Sequence, residues 1–428
     1  MIERVGIDAR HTVIWHVYPL GFVGAEPTCA AAEAPRHRLP RIAGWLDYLV
    51  ELGANVLQLG PVFDSETHGY DTRDHFRLDP RLGDDDDLTA LVEAAHARGV
   101  GVVLDGVFNH VGRSFPMFSR AEAGDDLAAA WFRRDGDDWA VFEGHGSLVE
   151  LDHDNPAVAG HVVAVMRHWL DRGIDGWRLD AAYAIPAGFW AQVLPRVRER
   201  FPQAYIVGEM IHGDYVAYVQ EAGLDSVTEY ELWKAIWSSL NDRNFHELTW
   251  TLGRHNGFLE HYVPLTFLGN HDVTRIASKL TDEQHYPHAL AILMTVGGTP
   301  SIYAGDEQGF RGIKEDRPGG DDEVRQAFPE HPADLAPFGE GWFRMHQELI
   351  GLRRRHPWLE RARTDVYHVT DDQIAYRSHG EGGALLVGLN VGDGGAVLPV
   401  GGPVIAGQGQ PVEGGMLVPE HGWVICED

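Results

Sequence analysis

Cysteine is nearly missing from this 428-residue chain, and basic residues are scarce beside acidic ones. Only Cys29 and Cys426 occur, near opposite ends, which excludes a fold stapled by several disulfides. The opening MIERVGIDAR carries charges of both signs and lacks the apolar run of roughly 7–15 residues that marks a secretory signal. A cytoplasmic setting with two reduced thiols is therefore expected. No stretch approaches the roughly 20 apolar residues needed to span a bilayer. Lys and Arg number 35 against 64 Asp and Glu, a formal charge of −29. So acidic a surface repels nucleic acid and anionic membranes, and neither is an expected partner. The charge serves solubility, and a neutral small molecule such as an oligosaccharide fits it without difficulty.

What is present is a regular alternation. Short β-branched runs alternate with longer segments of helical period, the pattern of a parallel sheet with crossover helices. Eight strands are predicted: 12–18, 55–60, 101–108, 176–180, 204–209, 225–229, 264–270 and 299–305. Between them, Leu88, Leu91, Val92 and Ala95 fall on one helical face behind four aspartates, 84–87, which read as a helix start. In NPAVAGHVVAVMRHWLDRG (155–173), Val158, Val162, Val165 and Trp169 share a face and Gly173 is the stop. HALAILMTVGG (288–298) supplies the helix before the last strand. The fold class predicted is α/β, a (β/α)8 TIM barrel.

Two places break the rhythm. Residues 111–150, rich in Gly, Asp, Phe and Trp, form an insertion on the third βα loop, at the face where barrel active sites form. Beyond GLRRRHPWL (351–359), short alternating runs predict a small antiparallel β domain. The domain reading is thus 1–110 and 151–362 for the barrel, 111–150 for the insertion, and 363–428 for the C-terminal domain.

Barrel chemistry gathers at strand C-termini. Asp180 ends the fourth predicted strand, Glu209 ends the fifth, and Asp272 follows the seventh. Three carboxylates converging on one cleft suit glycosidic cleavage, in which one carboxyl attacks and another serves as acid and then base. Arg178, two residues before Asp180, points to the same side of its strand and can keep it ionised. His110 and His271 stand where they can hydrogen-bond sugar hydroxyls. The 24 histidines raise a metal-hydrolase reading, but no His-X-His ends the first strand, where His16 stands alone. Trp131 and Trp139 in the insertion are candidates for contacting a sugar, while Trp177 is expected to pack outward against helices.

These residues sit in strings that resemble the α-amylase family of glycoside hydrolases, family 13, over nearly the whole chain from IWHVYP onward. The motifs are DGVFNH (105–110), GWRLDAAY (176–183), VGEM (207–210) and FLGNHDVTR (267–275), with GPVFDSETHGYDTRDHF (60–76) and SIYAGDE (301–307) beside them. The resemblance implies Asp180 as nucleophile, Glu209 as general acid/base, and Asp272 as the carboxylate that steadies the developing positive charge. It implies that Arg178, His110 and His271 line the cleavage subsite and that Tyr70 stacks on the sugar. Asp71 and Arg275 would support that subsite and Asp105 would order it. In the retaining geometry the Asp180 and Glu209 carboxyls stand about 5–5.5 Å apart. The implied activity is hydrolysis of α-1,4-linked gluco-oligosaccharides, the alternative being an α-glucanotransferase or sugar isomerase using the same trio. A catalytically silent relative would lack one of the three carboxylates, and none is missing.

One motif departs from the family pattern. LVELDHDNP (148–156) fits neither common version of the motif that separates the oligosaccharide-hydrolase branches. The family chemistry requires no cofactor. A structural calcium is a further possibility through Asn109, which matches a family calcium ligand, although hard-cation sites need six or more oxygens. Met210, after the fifth-strand glutamate, reads equally as an apolar wall or a sugar platform.

Overall fold

The computed structural model describes residues 5–30, 34–317 and 319–428. The first four residues of the opening stretch lie outside them. All eight predicted strands form, each slightly trimmed: Ile14–Val17, Val56–Leu59, Gly101–Gly106, Gly176–Leu179, Tyr205–Gly208, Ser226–Val227, Leu265–Phe267 and Thr299–Tyr303. They pair in parallel and in chain order, with the eighth strand returning to lie between the first and the seventh. The ring closes between the sixth and seventh strands through one parallel bridge, Thr228 to Leu265.

Local chemistry explains the helices. Asp84 caps Asp85–His96 by accepting from the backbone of Asp86 and Asp87, and the Asp87 side chain returns the bond to the Asp84 N–H. This capping box is the purpose the acidic run serves. Asn155 caps Pro156–Asp171, proline occupies the first turn, and Gly173 leaves the helix at φ 103°. Trp169 and Trp177 are fully buried, and Trp177 packs between Phe63 and Phe108.

Inside the ring, register sets a vertical gradient. Ile14 pairs with Val56, and Val103 with Gly176. Together with Val207, Leu265 and Phe267 the branched members form a separate apolar cluster at the lower end. One pleat higher, on the same side of each strand, stand His16 opposite Gln58 and Asp105 opposite Arg178. Asp180 follows on the same face.

The third-loop insertion holds two short helices, Pro116–Glu122 and Asp126–Ala129, and a ribbon pairing His110–Gly112 with Leu148–Glu150. A hairpin of Phe63–Ser65 and Thr72–Leu78, unforeseen from the sequence, rises from the second strand. From Arg363 onward the chain forms a five-stranded and a three-stranded antiparallel sheet. Cys29 and Cys426 are buried and not bridged. Among the described residues, no helix is long and apolar enough to cross a membrane.

Candidate active site

A cleft of about 350 Å³ opens at the C-terminal ends of the strands. Asp180, Glu209 and Asp272 all line it, with Tyr70 and His110. Arg178 lies beneath, buried, and joins the carboxylates. Its Nη1 donates to Asp180 Oδ1 at 2.8 Å and to Asp105 Oδ1 at 2.8 Å, and its Nη2 contacts Glu209 Oε1 at 2.7 Å. Arg178 was expected to line the subsite; it binds the carboxyls from below rather than facing the cleft.

Backbone geometry fixes Glu209 as well. Ala181, directly after Asp180, adopts φ 44° and ψ 40°, a left-handed conformation uncommon for a residue other than glycine. The Ala181 N–H donates to Glu209 Oε2, 3.0 Å away. The Tyr230 hydroxyl donates to Glu209 Oε1 at 3.2 Å and accepts from Asn270 Nδ2 at 2.8 Å.

The charges are unequal in their surroundings. Burial pushes the Asp180 carboxyl well above the usual carboxylate range; Arg178 opposes this, and the negative charges of Glu209, Asp105 and Asp272 reinforce it. Asp105 moves up for the same leading reason, with Arg178 and His271 opposing. Burial also raises Asp272, but His271, Arg325 and Arg178 outweigh it and hold that carboxyl well below its ordinary value. Burial and mutual repulsion thus favour the protonated form of Asp180 and Asp105, while Asp272 stays ionised.

His271 is buried, with Nε2 2.9 Å from Asp272 Oδ2 and in contact with the Tyr70 hydroxyl. The Tyr70 and His271 rings are stacked at 5.6 Å. His110 Nε2 is buried without a hydrogen-bond partner, 4.0 Å from Asp180 Oδ2. Asp71 and Arg275 do not reach the cleft. Asp71 accepts from Thr67 N–H and Oγ1 and so shapes the turn that carries Tyr70, while buried Arg275 donates to Asp306 Oδ1 at 2.9 Å. Trp131 and Trp139 are also absent from the cleft: one packs on His161, the other on Phe118 and Phe132 under the Arg134 guanidinium. Met210 is an apolar wall, buried in the main core. Asn109 Nδ2 donates to His110 Nδ1, and its carbonyl accepts from Leu151 N–H.

Several cleft residues had no sequence signal strong enough to single them out. Arg325, on the long connection after the eighth strand, donates to Asp272 Oδ1 at 2.7 Å and to the His271 carbonyl at 3.0 Å. Lys314 and Asp321 come from the same connection. Phe142, Glu143 and His145 reach in from the insertion, and Glu143 Oε1 accepts from Tyr183 Oη at 2.7 Å across the cleft.

A closed barrel with three carboxylates from separate strand ends meeting over a buried arginine defines a barrel enzyme built for carboxyl-group catalysis. The model of the family described as "Alpha amylase, catalytic domain" matches residues 38–367. The chain belongs to the α-amylase family of glycoside hydrolases. It is 30% identical over 369 residues to a cyclomaltodextrinase of Bacillus sp, covering 81% of this chain and 64% of that protein. To neopullulanase 2 of Thermoactinomyces vulgaris it is 30% identical over 402 residues, covering 86% and 67%. The chain thus spans about two thirds of the length of these relatives. The solved cyclic α-maltosyl-(1→6)-maltose hydrolase of Arthrobacter globiformis superposes with a TM-score of 0.81 at 26% identity, covering 98% of each chain.

Proposed function

We propose that the protein is a retaining α-glycosidase that hydrolyses short α-1,4-linked gluco-oligosaccharides, cyclic ones included, by double displacement. The observation that carries this reading is the single guanidinium of Arg178, which donates to Asp180 and stands in ion-pair contact with Glu209, 2.7 Å away. It keeps the two carboxyls side by side, as the retaining separation of about 5–5.5 Å requires. Asp180 attacks the anomeric carbon as Glu209 protonates the departing glycosidic oxygen. Water then attacks the glycosyl ester, giving its proton to Glu209 and freeing Asp180. Attack requires the proton on Glu209 and the charge on Asp180, a charge that Arg178 favours against burial.

Asp272, held ionised by His271 and Arg325, stabilises the positive charge that develops on the ring. Tyr70 supplies a stacking face, and the unpaired His110 Nε2 meets a sugar hydroxyl. Substrate size is drawn from relatives named for cyclomaltodextrins and cyclic maltosyl-maltose. A cytoplasmic location accords with relatives named intracellular maltogenic amylase.

The test is the time course of products from maltopentaose and from β-cyclodextrin, resolved by chromatography. Shorter linear sugars alone support hydrolysis. Longer sugars beside them make the chain a glucanotransferase using the same trio, and no change in either substrate overturns the reading.

A further inference from the structure

A second cluster of chemically capable side chains lies away from the cleft, where the barrel meets the C-terminal sheets. The buried His285 and its neighbour Asp282 sit on the turn that leads into helix Tyr286–Thr295. His421 comes from the other side of the seam, just before the last strand, Trp423–Glu427. His285 Nε2 and His421 Nδ1 are 3.0 Å apart, and Asp282 Oδ2 is 3.9 Å from each. Tetrahedral zinc with bonds of about 2.0–2.1 Å places its ligand atoms roughly 3.3–3.4 Å from one another. The three separations bracket that value.

The surroundings hold the ligands in place. Asp282 Oδ1 is occupied by the Gln284 N–H, leaving Oδ2 turned toward the imidazoles. Buried His288, one turn beyond His285, contacts the carbonyls of Asn390 and Gly422 through Nε2, at 3.1 and 2.9 Å. It thereby secures the two loops of the C-terminal domain that meet here. His421 adopts φ 48°, a left-handed backbone, and its far nitrogen, Nε2, lies 3.4 Å from Asp393 Oδ1. A carboxylate behind a ligating histidine is the usual outer partner of a zinc site, fixing the ring and its tautomer. Among the described residues, the other cluster of this kind, His37 with Asp84 and Asp87, has its carboxylates engaged in the helix cap and its histidine exposed.

We propose that Asp282, His285 and His421 bind one zinc-class divalent cation, with water in the fourth position, as a clasp between the barrel and the C-terminal domain. Imidazole nitrogens with one carboxylate select zinc or its borderline neighbours over magnesium and calcium, which take oxygen sets.

The experiment uses the full chain without a histidine tag, stripped by chelator and titrated with zinc chloride, magnesium chloride or calcium chloride. Calorimetry should give one zinc per chain, and zinc at a hundredfold excess over Kd should raise Tm by about 3 °C. Magnesium and calcium should do neither. His421→Asn preserves a residue tolerant of the left-handed backbone, and Asp282→Asn preserves the cap. Each should abolish the stoichiometric binding and the Tm rise while hydrolysis without zinc stays unchanged. The proposal is overturned if wild type binds no zinc, or if either variant binds it as wild type does, which would assign the metal to other histidines.

Discussion

The two ends of the barrel interior differ by one pleat and by nearly everything else. At the lower end Ile14, Val56, Val103 and Leu265 form an apolar plug. Two residues further along the third and fourth strands, Asp105 and Arg178 stand opposite one another, buried and charged. The plug follows from transfer of apolar surface out of water, which needs no special geometry. The upper end runs against that trend, because buried charge is costly unless paired. Arg178 pairs with three carboxyls, and still Asp180 is held above its ordinary pKa. Stability resides in the lower layer; the upper layer gives some of it up to place charge beside a substrate.

Substitutions should separate the two layers. The largest effect is expected from Asp180→Asn, which removes the carboxylate proposed as nucleophile and should lower turnover by about three powers of ten or more, measured by single-turnover kinetics. The same variant should melt higher than wild type at neutral pH. Because the folded pKa of Asp180 exceeds the unfolded value of about 3.9, its contribution favours folding below that value and is lost as pH rises through the folded pKa. Asp272 has the opposite sign: its contribution is present above the unfolded pKa and lost as pH falls through the depressed folded one. Thermal scans across pH, comparing wild type with Asp180→Asn, check the first statement; an unchanged Tm would contradict the cost assigned to the upper layer.

Next, Glu209→Gln should reduce hydrolysis of maltopentaose by roughly 10²–10⁴-fold, the usual contribution of general acid–base catalysis. Much less should be lost in the first step on an aryl glycoside whose leaving group needs no proton, readable as a burst of phenolate. Arg325→Met should cost about 10–100-fold, the worth of a charge-assisted hydrogen bond to Asp272. That loss should fall on kcat more than on KM, and Arg325→Lys should restore part of it. Smallest of all, Ile14→Val should cost about 0.5–1.5 kcal/mol in denaturant unfolding and leave kcat where it was. A fall in kcat there would show that the two layers are not separable.

The same contrast explains what could be read from sequence. Each barrel strand is a short β-branched run, buried on both faces, so periodicity and composition reveal it. Asp180, Glu209 and Asp272 were legible because each stands at or just past the end of such a run. Arg325, Lys314 and Asp321 lie on a connection with no period to mark it, and only its position after the eighth strand, on the active face, could have drawn attention to it. Tyr230 opens a helix, where an aromatic residue looks like ordinary packing. Trp131 and Trp139 misled for the reverse reason: large aromatics in an insertion fill its small core as readily as they meet a ligand. Asp71 and Arg275 belong to the family strings, yet their contacts run to Thr67 and Asp306, behind the site.

The closure of the ring by a single bridge has a bearing on motion. Every other pair of neighbouring strands shares a run of paired residues, whereas the sixth and seventh meet at Thr228 and Leu265, helped by Glu229 N–H to the Leu265 carbonyl and Ser226 Oγ to that of Val263. Glu209 lies on one side of this joint and Asp272 on the other. Breathing there would change the gap between Glu209 and Asp272 before it disturbed any other strand pair. Amide exchange at the joint should accordingly be the fastest in the ring, and a bound sugar touching both carboxylates should slow it, making the substrate a brace for the barrel that cleaves it.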